Sequence, residues 1–115
     1  MQCGEIRLVD LEPVRGAAAN TQRPAVIVSN DGANGTAQQL GRGVVTVVPV
    51  TSNTTRVHPF QVLLPADDTG LAVDSKAQAE QVRSVVVERI GRRIGLMTAE
   101  LQSALDEALR LHVAL

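Results

Sequence analysis

The chain has 115 residues and a formal net charge of −1, with 44% apolar and 20% charged residues. That is one domain of ordinary soluble composition, spanning residues 1–115. Seventeen Val, twelve Leu and four Ile against one Phe, no Trp and no Tyr call for an aliphatic core. One Cys rules out an internal disulfide, and one Cys with two His cannot make the usual Cys/His zinc site. The single Phe excludes an aromatic stacking sheet for RNA, and no stretch reaches the 18 apolar residues of a membrane span. The first ten residues lack the charged-then-apolar order of a signal peptide, which predicts a reduced, cytoplasmic location. Ten of the eleven basic residues are Arg, so a small local cluster could still fork onto phosphate without a basic surface.

In chain order, Gly4–Leu11 predicts a strand with Ile6 and Leu8 on one face and Glu5, Arg7 and Val9 on the other. Pro13–Gln22 predicts a loop, and the β-branched run Pro24–Ser29 a short buried strand. Asn30–Gly43 holds four Gly and predicts a long loop with one helical turn near Ala37–Leu40. Val44–Val50 is a central strand with Pro49 near its end, since Pro cannot donate to a ladder. A polar turn over Thr51–His58, a strand over Phe60–Leu64 and a turn at Asp67–Gly70 follow. Ser75–Val87 predicts one long strand, then a helical turn to Arg92 and a short strand over Arg93–Met97. The last segment changes period. Thr98 is a candidate N-cap with Glu100 in the first turn, and Leu101, Ala104, Leu105, Ala108 and Leu109 follow the spacing of an amphipathic helix. Strands followed by one helix imply a mostly β, α+β domain, a small barrel or antiparallel sheet. Its modest core favours further burial at a subunit interface, hence a homo-oligomer.

Catalytic equipment of the familiar kinds is sparse. His112 sits where a helix end suits a cation, and His58 precedes Pro59 in a loop. Gly32–Gly35 and Gly41–Gly43 lack the Gly-Lys-Ser/Thr ending of a phosphate loop and read as turns. Asp67, Asp68 and Asp74 lack the pattern of a calcium loop. A more specific constellation has three parts: Arg23-Pro24 at a loop-to-strand junction, Thr51-Ser52-Asn53 at the end of the Val-rich strand, and Glu80-Gln81-Val82-Arg83-Ser84. An Arg fixed by a following Pro near a Thr hydroxyl is the start of an anion site.

In this order and with the flanking blocks Gly4–Pro13, Arg23–Asn30, Val48–Asn53, Pro59–Pro65, Gly70–Ser75 and Arg89–Gly91, the chain resembles the MazF/PemK toxins of bacterial toxin–antitoxin systems. The resemblance implies a small SH3-like or CcdB-like barrel with a C-terminal helix, forming a homodimer. It implies a sequence-selective endoribonuclease acting on single-stranded RNA (mRNA, with rRNA and tRNA as alternatives) without cofactor or metal. The ribose 2′-hydroxyl attacks the adjacent phosphate, leaving a 2′,3′-cyclic phosphate and a 5′-hydroxyl. The catalytic roles fall on Arg23 and Thr51, and RNA contacts on Arg15, Gln22, Ser52, Asn53, His58, Glu80 and Gln81. The implied protein partner is a cognate antitoxin whose disordered acidic tail covers the RNA groove. The chain departs from the family pattern in the first loop, where Ala18 stands at the place of an acidic residue. The same fold also hosts a non-enzymatic toxin that binds DNA gyrase, and a catalytically impaired homologue acting by interaction alone is a further alternative.

Overall fold

The computed structural model describes residues 1–11 and 22–115. Seven strands form one antiparallel sheet: β1 Glu5–Asp10, β2 Gln22–Ile27, β3 Val44–Thr51, β4 Gln61–Leu64, β5 Ser75–Gln78, β6 Arg83–Val86 and β7 Ile90–Leu96. The order is β4-β5-β3-β2-β1-β7, with β6 also paired to β3. Among the described residues three α-helices accompany them: α1 Asp31–Leu40, the single turn α2 Ala66–Thr69 and α3 Ala99–Val113. The expected α+β class, rich in β and closed by a C-terminal helix, is what the chain adopts.

The central strand β3 is buried on both faces, and for that reason it is nearly all Val. Val48 and Val50 join Ile6, Val26, Leu64, Ala77 and Leu105 in one core beneath α3. Val45 and Val47 join Val9, Ala25, Ile27, Ala37 and Val85 in a second core beneath α1. Strand β1 contributes to both because successive side chains point to opposite faces, and its register with β7 shifts between Ile6 and Arg7 and again between Arg7 and Val9. The alternation expected for this strand holds: Ile6 and Val9 lie on opposite faces and are both fully buried, in different cores.

The outer edge of β3 carries two partners in succession. Val44–Val47 pair with β6, whereas Val50 and Thr51 pair with β5. The Val28 N–H donates to the Thr46 carbonyl at 2.9 Å, so even positions of β3 direct their polar groups toward β2. Odd positions face the outer edge, and Pro49 there has no N–H to offer. The outer ladder breaks at that point, and a 3-10 turn at Ala79–Gln81 takes up the extra residues. This corrects the expectation of one long strand over Ser75–Val87: the segment is two strands, and Glu80 and Gln81 lie in the turn between them.

The two ends of the sheet meet through a helix. The turn α2 leaves β4 at Pro65 and lies on β7, where a Cβ at Gly95 would stand 2.6 Å from the Thr69 carbonyl oxygen. The sheet thus curls into a small barrel closed by backbone packing at Gly95.

The segment Asn30–Gly43, expected to be a loop, contains the ten-residue helix α1. Asn30 caps it, its Oδ1 accepting from the Ala33 N–H at 2.8 Å, and Gly41 ends it at φ 66°. Gly32 and Gly35 inside it and the lack of an apolar stripe hide it from periodicity. It is anchored instead by the fully buried Asn34, whose Nδ2 donates to the Ser29 carbonyl at 2.8 Å, while Ser29 Oγ donates to Asn34 Oδ1 and accepts from the Thr46 N–H at 3.1 Å. Helix α3 is as expected: Thr98 Oγ1 accepts from the Leu101 N–H at 3.1 Å, and Leu105 and Ala108 are buried. Ala104 is exposed, so the buried stripe is narrower than the spacing suggested.

Two stability measurements test this packing. Gly95→Ala places a methyl against backbone and is expected to lower unfolding free energy by about 1–3 kcal/mol in urea titration. Gly35→Ala, with nothing within 4 Å of the new Cβ, is expected to be neutral or stabilising by up to about 1 kcal/mol. Glu5 is buried, which pushes its carboxyl pKa up, but the Arg7 guanidinium at 2.8 Å and the Gln2 N–H at 3.0 Å outweigh this and hold it below the ordinary value. Its contribution is present above the unfolded pKa and lost as pH falls through the folded one. The stability gap between the unaltered protein and Glu5→Gln should therefore shrink below about pH 4.

Candidate active site

The sequence places Arg23 at the start of β2, directly before Pro24. A residue before Pro is held in the extended region, which sets the direction in which this Arg leaves the sheet. Strand β2 pairs with β3 through Ala25 and Pro49. Carried two residues further along both strands, that register sets Arg23 across from Thr51. The two residues line one cleft of about 380 Å³, together with Pro24, Pro49, Val50, Ser52, Leu71–Val73, Ser75, Gln78 and Ile94. One wall is apolar, from Pro24, Pro49, Leu71 and Ile94, and the polar groups gather at the strand ends.

Arg23 is exposed at the mouth of the cleft and carries a fixed positive charge with several N–H donors. Thr51 is half-buried. Its Oγ1 accepts from the Asn53 N–H at 3.2 Å, which occupies a lone pair and leaves its proton to donate elsewhere. An Arg fork and a hydroxyl proton converging on one space form an anion site. The loop that follows is held from two sides. Asn53 Oδ1 accepts from the Thr55 N–H at 3.2 Å, and the Lys76 ammonium, largely buried, donates to the Arg56 carbonyl. Lys76 also faces Thr51 across the β3–β5 ladder. Nothing in its local sequence marks the sole lysine for this bracing role, which depends on the pairing of distant strands.

The other expected contacts divide into separate groups. Ser52 lines the cleft. Asn53 follows it, but its carboxamide oxygen is committed within the loop. His58 stacks on Phe60, ring centroids 5.3 Å apart, and the His58 backbone N–H donates to Gln61 Oε1 at 3.0 Å. Gln61 Nε2 in turn donates to Glu80 Oε2 at 2.8 Å. His58 and Glu80 thus belong to a second polar cluster joined by Gln61, a residue the sequence did not single out. Gln81 is exposed on the 3-10 turn, and Gln22 is exposed at the start of β2, where a Cβ at Gly91 would stand 3.2 Å from its Nε2. Neither Gln22 nor Gln81 lines the cleft. Arg15 and the altered first loop through Ala18 lie outside the described residues, though the way into that loop is fixed: Arg83 donates to the Leu11 carbonyl at 2.9 Å and Arg89 to the Asp10 carbonyl at 3.4 Å. Among the described residues, no group of three His, Cys, Asp or Glu is placed to hold a metal ion. Ser75, Gln78, Leu71 and Ile94 complete the cleft and were missed, because only folding brings β5 and β7 to the end of β2.

Comparison with known proteins agrees with the fold. The chain is 64% identical over 115 residues to the endoribonuclease MazF9 of Mycobacterium tuberculosis, covering 100% of this chain and 98% of that one. Its fold superposes on the Mycobacterium tuberculosis toxin MazF-mt6 with a TM-score of 0.76 at 24% identity, covering 96% of this chain and 97% of that one. It also superposes with a TM-score of 0.76, at 22% identity, on a mycobacterial endoribonuclease solved in complex with its cognate antitoxin, covering 100% of this chain and 96% of that one. No described helix is long and apolar enough to cross a membrane. Residues 2–113 match the family of PemK-like, MazF-like toxins of type II toxin–antitoxin systems, and the chain belongs to that family.

Proposed function

We propose that the protein is a sequence-selective endoribonuclease, the toxin of a type II toxin–antitoxin pair, and that Arg23 and Thr51 are its catalytic residues. The observation that carries this reading is their convergence on one cleft at the strand ends of β2 and β3. The substrate is single-stranded RNA, whose unpaired bases leave their edges free for readout. The 2′-oxygen forms a bond to the adjacent phosphorus, and the bond from phosphorus to the 5′-oxygen breaks. The 2′-hydroxyl proton leaves to solvent and the departing 5′-oxygen takes one up. The products are a 2′,3′-cyclic phosphate and a 5′-hydroxyl.

Negative charge builds on the non-bridging oxygens of the five-coordinate phosphate. The Arg23 guanidinium meets it with a fixed charge and paired donors, and the Thr51 hydroxyl donates its uncommitted proton. Donors already in place where charge develops are commonly the largest single contribution to catalysis. Among the described residues the cleft lining offers no carboxylate, imidazole or amine, and a guanidinium that stays charged is no base, so Arg23 and Thr51 act by charge stabilisation. The ribonuclease names of the relatives and the family match support this reading over the gyrase-binding one.

The biological unit we propose is a homodimer in the bacterial cytoplasm, inhibited by an antitoxin. Exposed Leu63, Val73 and Leu96 give this small aliphatic domain apolar surface still to bury. An acidic antitoxin tail would offer carboxylates to the same Arg23 that otherwise takes phosphate.

With an RNA oligonucleotide in EDTA, Arg23→Ala should lower the cleavage rate by about 100- to 1,000-fold. Thr51→Ala should lower it by roughly 10- to 150-fold, the effect of one hydrogen bond to a charged group, and Thr51→Ser should restore most of the rate. Cleavage by Arg23→Ala at the unaltered rate would sink the mechanism. Stoichiometric antitoxin should abolish cleavage, and full activity in a formed complex would refute occlusion of the cleft.

A further inference from the structure

Besides Ser52, the cleft holds a polar side chain that neither the proposed chemistry nor the fold uses. Gln78 ends β5 and lines the cleft with Arg23 and Thr51. It is half-buried, and its carboxamide makes no hydrogen bond to any described residue. Three of its neighbours have partners elsewhere. Ser75 Oγ donates to the Val73 carbonyl at 3.0 Å, and Thr51 Oγ1 accepts from the Asn53 N–H. Gln61, opposite Gln78 in the ladder, has both ends of its amide engaged by His58 and Glu80. The Gln78 amide atoms are not sealed from solvent, so both donor and acceptor are open to a ligand in the cleft.

The chemistry of the amide narrows the ligand. A phosphate offers acceptors alone and would leave the Gln78 carbonyl unpaired. The Watson–Crick edge of a base sets a donor beside an acceptor, which an amide matches with two parallel hydrogen bonds. The wall formed by Pro24, Pro49, Leu71 and Ile94 suits the flat apolar face of a base and not a charged backbone. The cleft volume of about 380 Å³ falls within the span of small-ligand sites, roughly 300–1,000 Å³. We infer that Gln78 is a specificity-determining residue: it reads the edge of the base adjoining the phosphate held by Arg23 and Thr51. This rests on the ribonuclease reading of the same cleft.

The test maps the 5′ ends that each protein produces from a randomised RNA pool, with rates measured on single-site oligonucleotides. The unaltered protein, Arg23→Ala, Gln78→Ala and Gln78→Glu are compared, with thermal unfolding as the check on folding. Gln78→Ala should relax base preference at one position beside the cut by roughly 5- to 150-fold, the discrimination of one bidentate pair, while the other positions keep theirs. Gln78→Glu, isosteric but limited to accepting, should move that preference toward guanine, whose N1–H and N2–H₂ are adjacent donors. Arg23→Ala should slow every site alike. Gln78 variants that retain the original preference, or lose rate equally at all sequences, would overturn this inference and leave the ribonuclease reading standing. Absence of cleavage by the unaltered protein would overturn both.

Discussion

Strand β3 serves two partners along one edge, and Pro49 is where it passes from one to the other. The constraint is a single missing donor. On one side β3 runs unbroken against β2, so the Ala25–Pro49 register carries Arg23 and Thr51 to facing strand ends. On the other side the ladder stops at Pro49, and the opposing segment must absorb a turn between β5 and β6. That turn puts Glu80 beside Gln61 and brings β5 round with Gln78 toward the cleft. The break thus separates the small core sheet from the strand ends where chemistry can occur.

The chemistry drawn from this arrangement needs few residue types. A phosphate in transition asks for fixed positive charge and donors already aimed at it, and an Arg held by a following Pro supplies them without a basic surface. The net charge of −1 is therefore no obstacle: it averages over the whole molecule, while one guanidinium acts at one cleft. Thr51 keeps its proton to donate while its oxygen accepts from the Asn53 N–H, and the loop that arranges this is braced by Lys76 from the neighbouring strand.

Much of the fold was readable from local chemistry. The Val-rich strand, the strand after Pro24 and the capped C-terminal helix each carry their own signals of period and cap. The failures have physical causes. Helix α1 carries two internal Gly and is held by the Ser29–Asn34–Thr46 hydrogen bonds, so tertiary polar contacts override poor propensity. The split of Ser75–Val87 reflects Pro49, a residue on another strand, and no pattern within the segment announces it. Gly95 reads as one more small residue until the Thr69 carbonyl is seen to occupy the place of its Cβ.

The site divides the same way. Sequence alone determined an aliphatic core without aromatic or thiol machinery, the helix at the end, and the pairing of an Arg-Pro with a Thr-Ser-Asn as candidate site residues, since residue type and ordered motifs are local properties. Only the tertiary structure decided which candidates share a space. It gathered Arg23, Thr51 and Ser52, set His58 and Glu80 in a separate cluster through Gln61, and brought in Gln78 from a strand with no motif of its own. Spatial convergence depends on strand register and on where a ladder breaks, and those follow from pairings between segments far apart in the chain.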